Sequence, residues 1–215
     1  MSILTQQYQN KQQEFNISST RKKKIIDLAG EIRDKKILDV GCATGYLGEY
    51  FKQQGNYVVG LDISQEDIME AKKKLDEVLL VDLESDDWLE LLLELKFDLI
   101  IVSEVVEHLL YPENLLAKLA RLLNDEGEII ITTPNFLVWT NRLKMLFGKF
   151  GYQQSGFWGR DHIHFFSWPE FKKLVHHAGF NICKRNHLRH PRVPDFLAKI
   201  WPAMFAFQLI IKIKK

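Results

Sequence analysis

The chain has 215 residues, 46% hydrophobic and 12% aromatic, enough for one large domain with a sizeable core, which excludes disorder as the default. A formal net charge of +1 excludes a global electrostatic case for nucleic acid. The charge is nonetheless uneven: from Phe171 onward ten Lys/Arg face the single acid Asp195, a local +9 against −8 for residues 1–170.

The N-terminal stretch MSILTQQYQNKQQEF is polar and Gln-rich, without the apolar core of a secretory signal. Short β-branched and Leu-rich runs then alternate with helical periodicity, the pattern of parallel βαβ units. Strands are expected at Lys36–Val40, Tyr57–Leu61, Val78–Val81, Phe97–Val102 and Glu128–Thr132. Helices are expected between them at Tyr46–Gln54, Gln65–Leu75, Asp86–Leu95 and Pro112–Leu123. Five strands and four crossovers make a doubly wound α/β sheet with helices on both faces.

Beyond Pro134 the pattern changes. Phe136–Phe150 is aromatic, basic and helical in spacing, and Gly148, Gly151, Gly156 and Gly159 punctuate its end and the loop after it. Residues 136–168 are read as a lid-like insertion in one domain, 1–215. Core packing is the commonest account of such an aromatic stripe; a substrate lid, a dimer contact and an interfacial helix on anionic lipid are the alternatives. A helix at Pro169–Ala178 is stopped by Gly179 and followed by a strand from Phe180 to about Leu188. His176 and His177 near that helix C-terminus need no functional account. Ala206–Lys215 is the closing edge strand. The apolar tail run from Ile200 to Ile211 contains Pro202 and is too short to span a bilayer.

The most informative stretch is Lys36–Gly48, KILDVGCATGYLG, a buried strand running into a glycine-bearing turn and a helix. Gly41 and Gly45 let the backbone approach a ligand, and the helix beginning near Tyr46 offers free N–H groups. Asp62 ends the second strand in VVGLD, where a carboxylate can accept hydrogen bonds from ribose hydroxyls. Asp82 ends the third strand in LVDL, either beside an adenine edge or as a turn acid. A dinucleotide fingerprint wants a third glycine where Tyr46 stands, so NAD is disfavoured.

With these motifs in hand, the chain resembles the class I S-adenosylmethionine-dependent methyltransferases, in the branch that acts on ubiquinone-pathway precursors, other small molecules and glycans. ILDVGCATG is similar to the family's glycine motif, VVGLDIS to its ribose acid and LLVDLES to its adenine-contacting strand end, while FDLIIVSEVVEHL and LLNDEGEIIITTPN are similar to its fourth and fifth strands. The resemblance covers roughly Ile25 to Phe180. It implies a Rossmann-like seven-stranded sheet whose last strand is antiparallel. It also implies S-adenosylmethionine contacts at Gly41, Cys42, Ala43, Gly45, Asp62, Ile63, Asp82, Leu83 and Ser103. Ala43 departs from the family's usual glycine, a change that is tolerable if its φ is negative.

Methyl transfer from a sulfonium requires an aligned nucleophile and removal of its proton. Two clusters carry suitable groups: Glu104, Glu107 and His108 in EVVEH, and His162 and His164 in RDHIHFFSW. HFFSW resembles the His-x-Phe-x-Trp stretch of small-RNA 2′-O-methyltransferases, which implies a divalent metal at Glu104, Glu107, His108 and His164. Without metal, His164, His108 and Glu104 are the candidate catalytic groups. Structural packing of the same residues is the bland alternative.

The expected function is methyl transfer, to oxygen, on a small-molecule, lipid-linked or sugar acceptor; RNA is disfavoured because no RNA module is recognisable. Alternatives are a non-catalytic S-adenosylmethionine-binding protein and a nicotinamide-dependent oxidoreductase. Two cysteines far apart, Cys42 and Cys183, support neither a disulfide scaffold nor a zinc site and fit a reducing cytoplasm. Peripheral membrane contact stays open; a transmembrane segment is not expected.

Overall fold

The computed structural model describes residues 19–149, 151, 162–189 and 193–215. Seven strands form one sheet: β1 Lys36–Val40, β2 Tyr57–Asp62, β3 Glu77–Leu80, β4 Phe97–Ser103, β5 Leu123–Pro134, β6 Asn181–Arg189 and β7 Ala206–Lys214. Their order is β3-β2-β1-β4-β5-β7-β6. The first five are mutually parallel, and β7 is antiparallel to both β5 and β6. This is the mixed seven-stranded sheet implied by the resemblance. One element differs from that reading: Ala206–Lys214 lies inside the sheet, and β6 takes the edge.

Side-chain alternation along the central strands builds two separate cores. Leu38, Val40, Val59, Leu61, Ile100 and Val102 face one way, onto Trp88, Leu116, Leu119 and Phe171. Ile37, Val58, Leu99, Ile101 and Ile130 face the other way, onto Ile25, Leu28, Phe51 and Ala71. Residues 19–29 form α1, a helix with no counterpart among the sequence expectations, and α2 (Tyr46–Gln53) and α3 (Gln65–Ala71) share its layer. The opposite layer holds α4 (Asp87–Glu90), α5 (Pro112–Leu122) and α7 (Trp168–His177).

Local signals explain where several helices begin. The Ser64 hydroxyl accepts from the Asp67 amide at 3.3 Å to start α3, and Ser167 does the same for Glu170 at 3.4 Å to start α7. Pro112 and Pro169 occupy first turns, where the missing N–H costs nothing. Two expected helices are shorter than their periodicity suggests. After Glu90 the chain continues through i→i+3 bonds, Leu92 N to Leu89 O and Leu95 N to Leu92 O, which is turn geometry. After Ala71 the consecutive Lys72, Lys73 and Lys74 lie in turns. Conversely β5 is longer than expected, because the chain passes from α5 straight into pairing, with Phe97 opposite Leu123 and an irregularity before Leu99.

Beyond β5, α6 occupies Trp139–Leu146, and two further short helices, α8 (Asp195–Ile200) and α9 (Pro202–Phe205), lead into β7. Of the insertion expected at 136–168, residues 150 and 152–161 lie outside the described residues. Among the described residues no helix is long and apolar enough to cross a membrane.

Candidate active site

Chain order reverses between β1 and β4, since β2 and β3 extend to one side and β4 and β5 to the other. Such a switch point opens a crevice outside the carboxyl ends of the strands. Every cofactor residue expected from the sequence stands at that end: Asp82 and Leu83 after β3, Asp62 at the end of β2 and Ile63 after it, Gly41, Cys42, Ala43 and Gly45 after β1, and Ser103 at the end of β4. Three inter-strand steps of about 4.8 Å span about 14 Å from β3 to β4, a length suited to an extended nucleoside carrying an amino-acid arm.

The turn after β1 is held by β2. Gly41 and Cys42 amides both donate to Leu61 O, at 2.8 and 2.9 Å, and Gly45 N donates to Cys42 O at 2.9 Å. Gly41 has φ 71°, and a Cβ there would meet Val105 Cγ2 at 2.5 Å, so both conformation and space demand glycine. Ala43 has φ 44°, contrary to the negative φ on which its tolerance was expected to rest. The turn needs a left-handed residue there, and the methyl group is carried under strain. Gly45 caps α2 without a side-chain hydrogen bond.

Asp62 is more than a ribose acid. Its Oδ2 accepts from Ala43 N and its Oδ1 from Ser64 N, each at 2.8 Å, so one carboxylate joins the turns after β1 and β2. Each oxygen keeps a further lone pair for a hydroxyl. Asp82 accepts from Glu84 N at 2.9 Å and bends the chain after β3, the turn-acid role. The Cys42 thiol is buried, and burial together with the Asp39 and Asp62 charges pushes its pKa up.

Sequence reasoning passes over Asp39, because a strand carboxylate followed by Val-Gly gives no periodic signal of its own. Asp39 is buried, its Oδ2 has no partner, and burial first, then the Asp62 charge, pushes its pKa up to about 7 against the opposing Gly48 amide and Lys22. Arg21 and Lys22 are missed as well, since RKKK reads as a solvated basic run. Helix α1 carries both to the site: Lys22 Nζ donates to Tyr46 O at 2.6 Å, and Arg21 Nη1 lies 3.9 Å from Glu104 Oε2.

At the transfer end Glu104 is left-handed, φ 58°, and is gripped from several sides. Its amide donates to Thr132 O and Oγ1 at 3.2 and 3.1 Å. Thr132 Oγ1 donates to Glu104 Oε1 at 2.8 Å, and Gln208 Nε2, from β7, donates to Oε2 at 2.6 Å. Ser103 Oγ lies 3.3 Å from Thr132 Oγ1. Arg21 Nε and Gln208 Oε1 are buried without partners beside this carboxylate, polar atoms that a bound ligand can satisfy.

The 3₁₀ turn Val106–His108 comes next. Glu107 is buried; Thr133 Oγ1 donates to its Oε2 at 3.2 Å, its Oε1 has no partner, and burial with the Glu104 charge raises its pKa well above the usual carboxylate value. Ile163 and His164 amides both donate to Glu107 O, at 2.9 and 3.0 Å, clamping the distant segment onto this turn. The His108 and His162 rings then meet edge to face, with centroids 4.8 Å apart. Ligand atoms of Glu107, His108 and His162 all lie within 4.8 Å of one another.

The sequence expectation places His164 in this group. The structure instead puts the His164 Nε2 3.2 Å from Leu110 O and stacks its ring on Phe166. Two consecutive amides converge on one carbonyl, so the chain turns sharply there and the two histidines part company. Glu104, for its part, is committed to Thr132 and Gln208. A buried carboxylate oxygen without a partner and two imidazoles fit a borderline divalent cation, with coordination positions left for an oxygen ligand.

A family model described as a methyltransferase domain matches residues 9–184. Ubiquinone biosynthesis O-methyltransferase of Photobacterium profundum is 32% identical over 145 residues, covering 64% of this chain and 58% of that protein. Malonyl-[acyl-carrier protein] O-methyltransferase of Hamiltonella defensa is 31% identical over 112 residues, covering 51% and 42%. The chain thus spans about half the length of these curated relatives. Among solved structures, an S-adenosylmethionine dependent methyltransferase of Mesorhizobium loti shares the fold with a TM-score of 0.63 at 16% identity, over 86% of this chain and 93% of that one. With the switch-point crevice, the strained turn after β1 and the acids at the end of β2 and after β3 all in place, the chain belongs to the S-adenosylmethionine-dependent methyltransferases.

Proposed function

We propose that the protein transfers the methyl group of S-adenosylmethionine to a hydroxyl oxygen of a small-molecule, lipid-linked or sugar acceptor. The carrying observation is the convergence of Glu107, His108 and His162 one turn beyond the gripped Glu104, at the β4 end of the cofactor crevice. The O-methyltransferase relatives support the choice of oxygen.

In the reaction the C–S bond of the sulfonium breaks as a C–O bond forms, and the acceptor hydroxyl gives up its proton. Gly41, Cys42, Ala43 and Gly45 seat the cofactor with Asp62 and Ile63 on the ribose side, Asp82 and Leu83 on the adenine side and Ser103 toward the methyl. Glu107, His108 and His162 would hold a divalent cation, which supplies Lewis acidity that lowers the hydroxyl's pKa. Glu104, oriented by Thr132 and Gln208, takes the proton. Without metal, Glu104, His108 or His164 would give general-base help, worth roughly 10² to 10⁴ in rate.

The test has two arms. Calorimetry should show binding of S-adenosylmethionine and S-adenosylhomocysteine in preference to NAD, weakened by about 1.5 to 3 kcal/mol in Asp62→Asn, the scale for hydrogen bonds to a charged group; equal NAD binding would sink the cofactor assignment. Titration of chelator-treated protein with Mn²⁺ should show binding lost in His162→Ala and kept in His164→Ala, with methyl transfer to hydroxyl acceptors following the same pattern. Chelator-insensitive transfer abolished by His164→Ala would instead identify His164 as the base.

A further inference from the structure

Helix α6 turns the usual amphipathic rule outward. Leu143, Leu146 and Phe147 stand at i, i+3 and i+4, the stripe that normally faces a core, yet all three are exposed, Leu146 to 78%. Helix α8 repeats the pattern with Phe196 and Ile200 at i and i+4; both are exposed, Ile200 to 77%, and Trp201 follows them into solvent. Both lie by one end of the sheet, α6 following β5 and α8 following β6 and leading through α9 into β7. Asn135, at the exit of β5, donates its side-chain amide to Ala203 O at 3.2 Å and Ala206 O at 2.8 Å, and its backbone amide to Phe207 O. That is the end of the sheet carrying the cofactor turns and the Glu107–His108–His162 group.

The charge on these elements is mostly positive. Arg142, Lys144 and Lys149 on and after α6 and Lys199 on α8 are exposed. The helices carry one acid, Asp195, which is paired with Lys199 at 2.8 Å and Arg189 at 3.6 Å. Arg142, Lys144 and Lys149 on and after α6 have no acid among them, so two copies of that face repel each other, which disfavours self-association. Apolar stripes with Trp and Leu flanked by Lys and Arg match the headgroup–acyl boundary of a bilayer, and negative lipid complements the cations. No described helix is long enough to cross, so contact is at the surface.

We infer that the active-site end of the molecule docks on an anionic lipid surface through α6 and α8, with the apolar stripes at the acyl boundary and the Lys and Arg side chains on lipid phosphates. The crevice mouth then faces the membrane, and an acceptor with an apolar tail reaches it without crossing water.

The full chain is sedimented with vesicles of phosphatidylcholine, or of phosphatidylcholine with phosphatidylglycerol, without cofactor or acceptor, so that failure leaves the methyl-transfer reading standing. Pelleting with the anionic vesicles alone is expected, falling with added salt. Leu146→Ser with Phe147→Ser should weaken partitioning by more than about tenfold. Lys144→Glu with Lys199→Glu should weaken it by more than the roughly fivefold expected for each lost cation. All four positions are exposed, and cofactor calorimetry on each variant checks that the fold is kept. No pelleting, equal pelleting with neutral vesicles, or pelleting unchanged in both variants would overturn the inference. So would a dimer in solution that the Leu146/Phe147 variant abolishes, since the face would then be covered by a second copy.

Discussion

At the residue scale the cofactor turn accepts local cost to shape itself. Ala43 at φ 44° stores about 1 to 2 kcal/mol relative to glycine, part of which glycine's larger unfolded-state entropy offsets. Ala43→Gly should therefore raise stability by about 0.5 to 1 kcal/mol in denaturant melts, while Gly41→Ala should lower it and weaken cofactor binding, because its Cβ has no room beside Val105. Asp39 gives a pH signature. With its folded pKa raised from 3.8 to about 7, the folded chain holds a proton that the unfolded chain has released between those values. Stability accordingly falls as pH rises through that window, and the loss, on the order of 4 kcal/mol, is complete above it. Asp39→Asn should reduce that slope in denaturant midpoints measured from about pH 4 to about pH 8. An unchanged slope would mean that the buried carboxylate is not the group titrating.

At the element scale, side chains from far-apart segments assemble the transfer end. Strand β7 supplies Gln208, more than a hundred positions beyond Glu104 in the chain, and the segment after residue 161 supplies His162. Gln208→Leu removes the amide that fixes Glu104 Oε2 while touching none of the cofactor turns. Transfer should fall about tenfold, the effect of losing roughly one hydrogen bond to a charged group, with S-adenosylhomocysteine affinity unchanged; a parallel loss of cofactor affinity would place Gln208 at the cofactor instead. Periodicity identifies α6 as amphipathic but suggests core packing, because periodicity reports that a stripe exists and says nothing of what covers it.

At the scale of the whole molecule, β7 lies between β5 and β6 as an inserted antiparallel strand, with Ile210, Ile211 and Ile213 fully buried on its two faces. Strand β6 has no other partner in the sheet order, so its place depends on β7. Truncation after Phe205 should abolish both strands together and expose β5, seen as loss of cooperative unfolding by circular dichroism. Ile211→Ala alone should cost about 2 to 5 kcal/mol, the range for a large-to-small change in a packed core. A truncated chain that still melts cooperatively would show that the first five strands fold by themselves.

The sequence by itself determined the α/β class, the places of Gly41, Asp62 and Asp82 at or just after successive strand ends, and the two acid–histidine clusters. Each of these rests on local signals: strand-length apolar runs, a glycine turn and carboxylates at strand ends. Tertiary structure alone decided which histidine meets Glu107, because two amides converging on one carbonyl select His162 over its neighbour two residues on. It also decided that Ala43 is left-handed, that Arg21 and Gln208 close around Glu104, and that the α6 stripe faces outward. None of these has a periodic or compositional mark, since each depends on hydrogen bonds and packing between segments far apart in the chain.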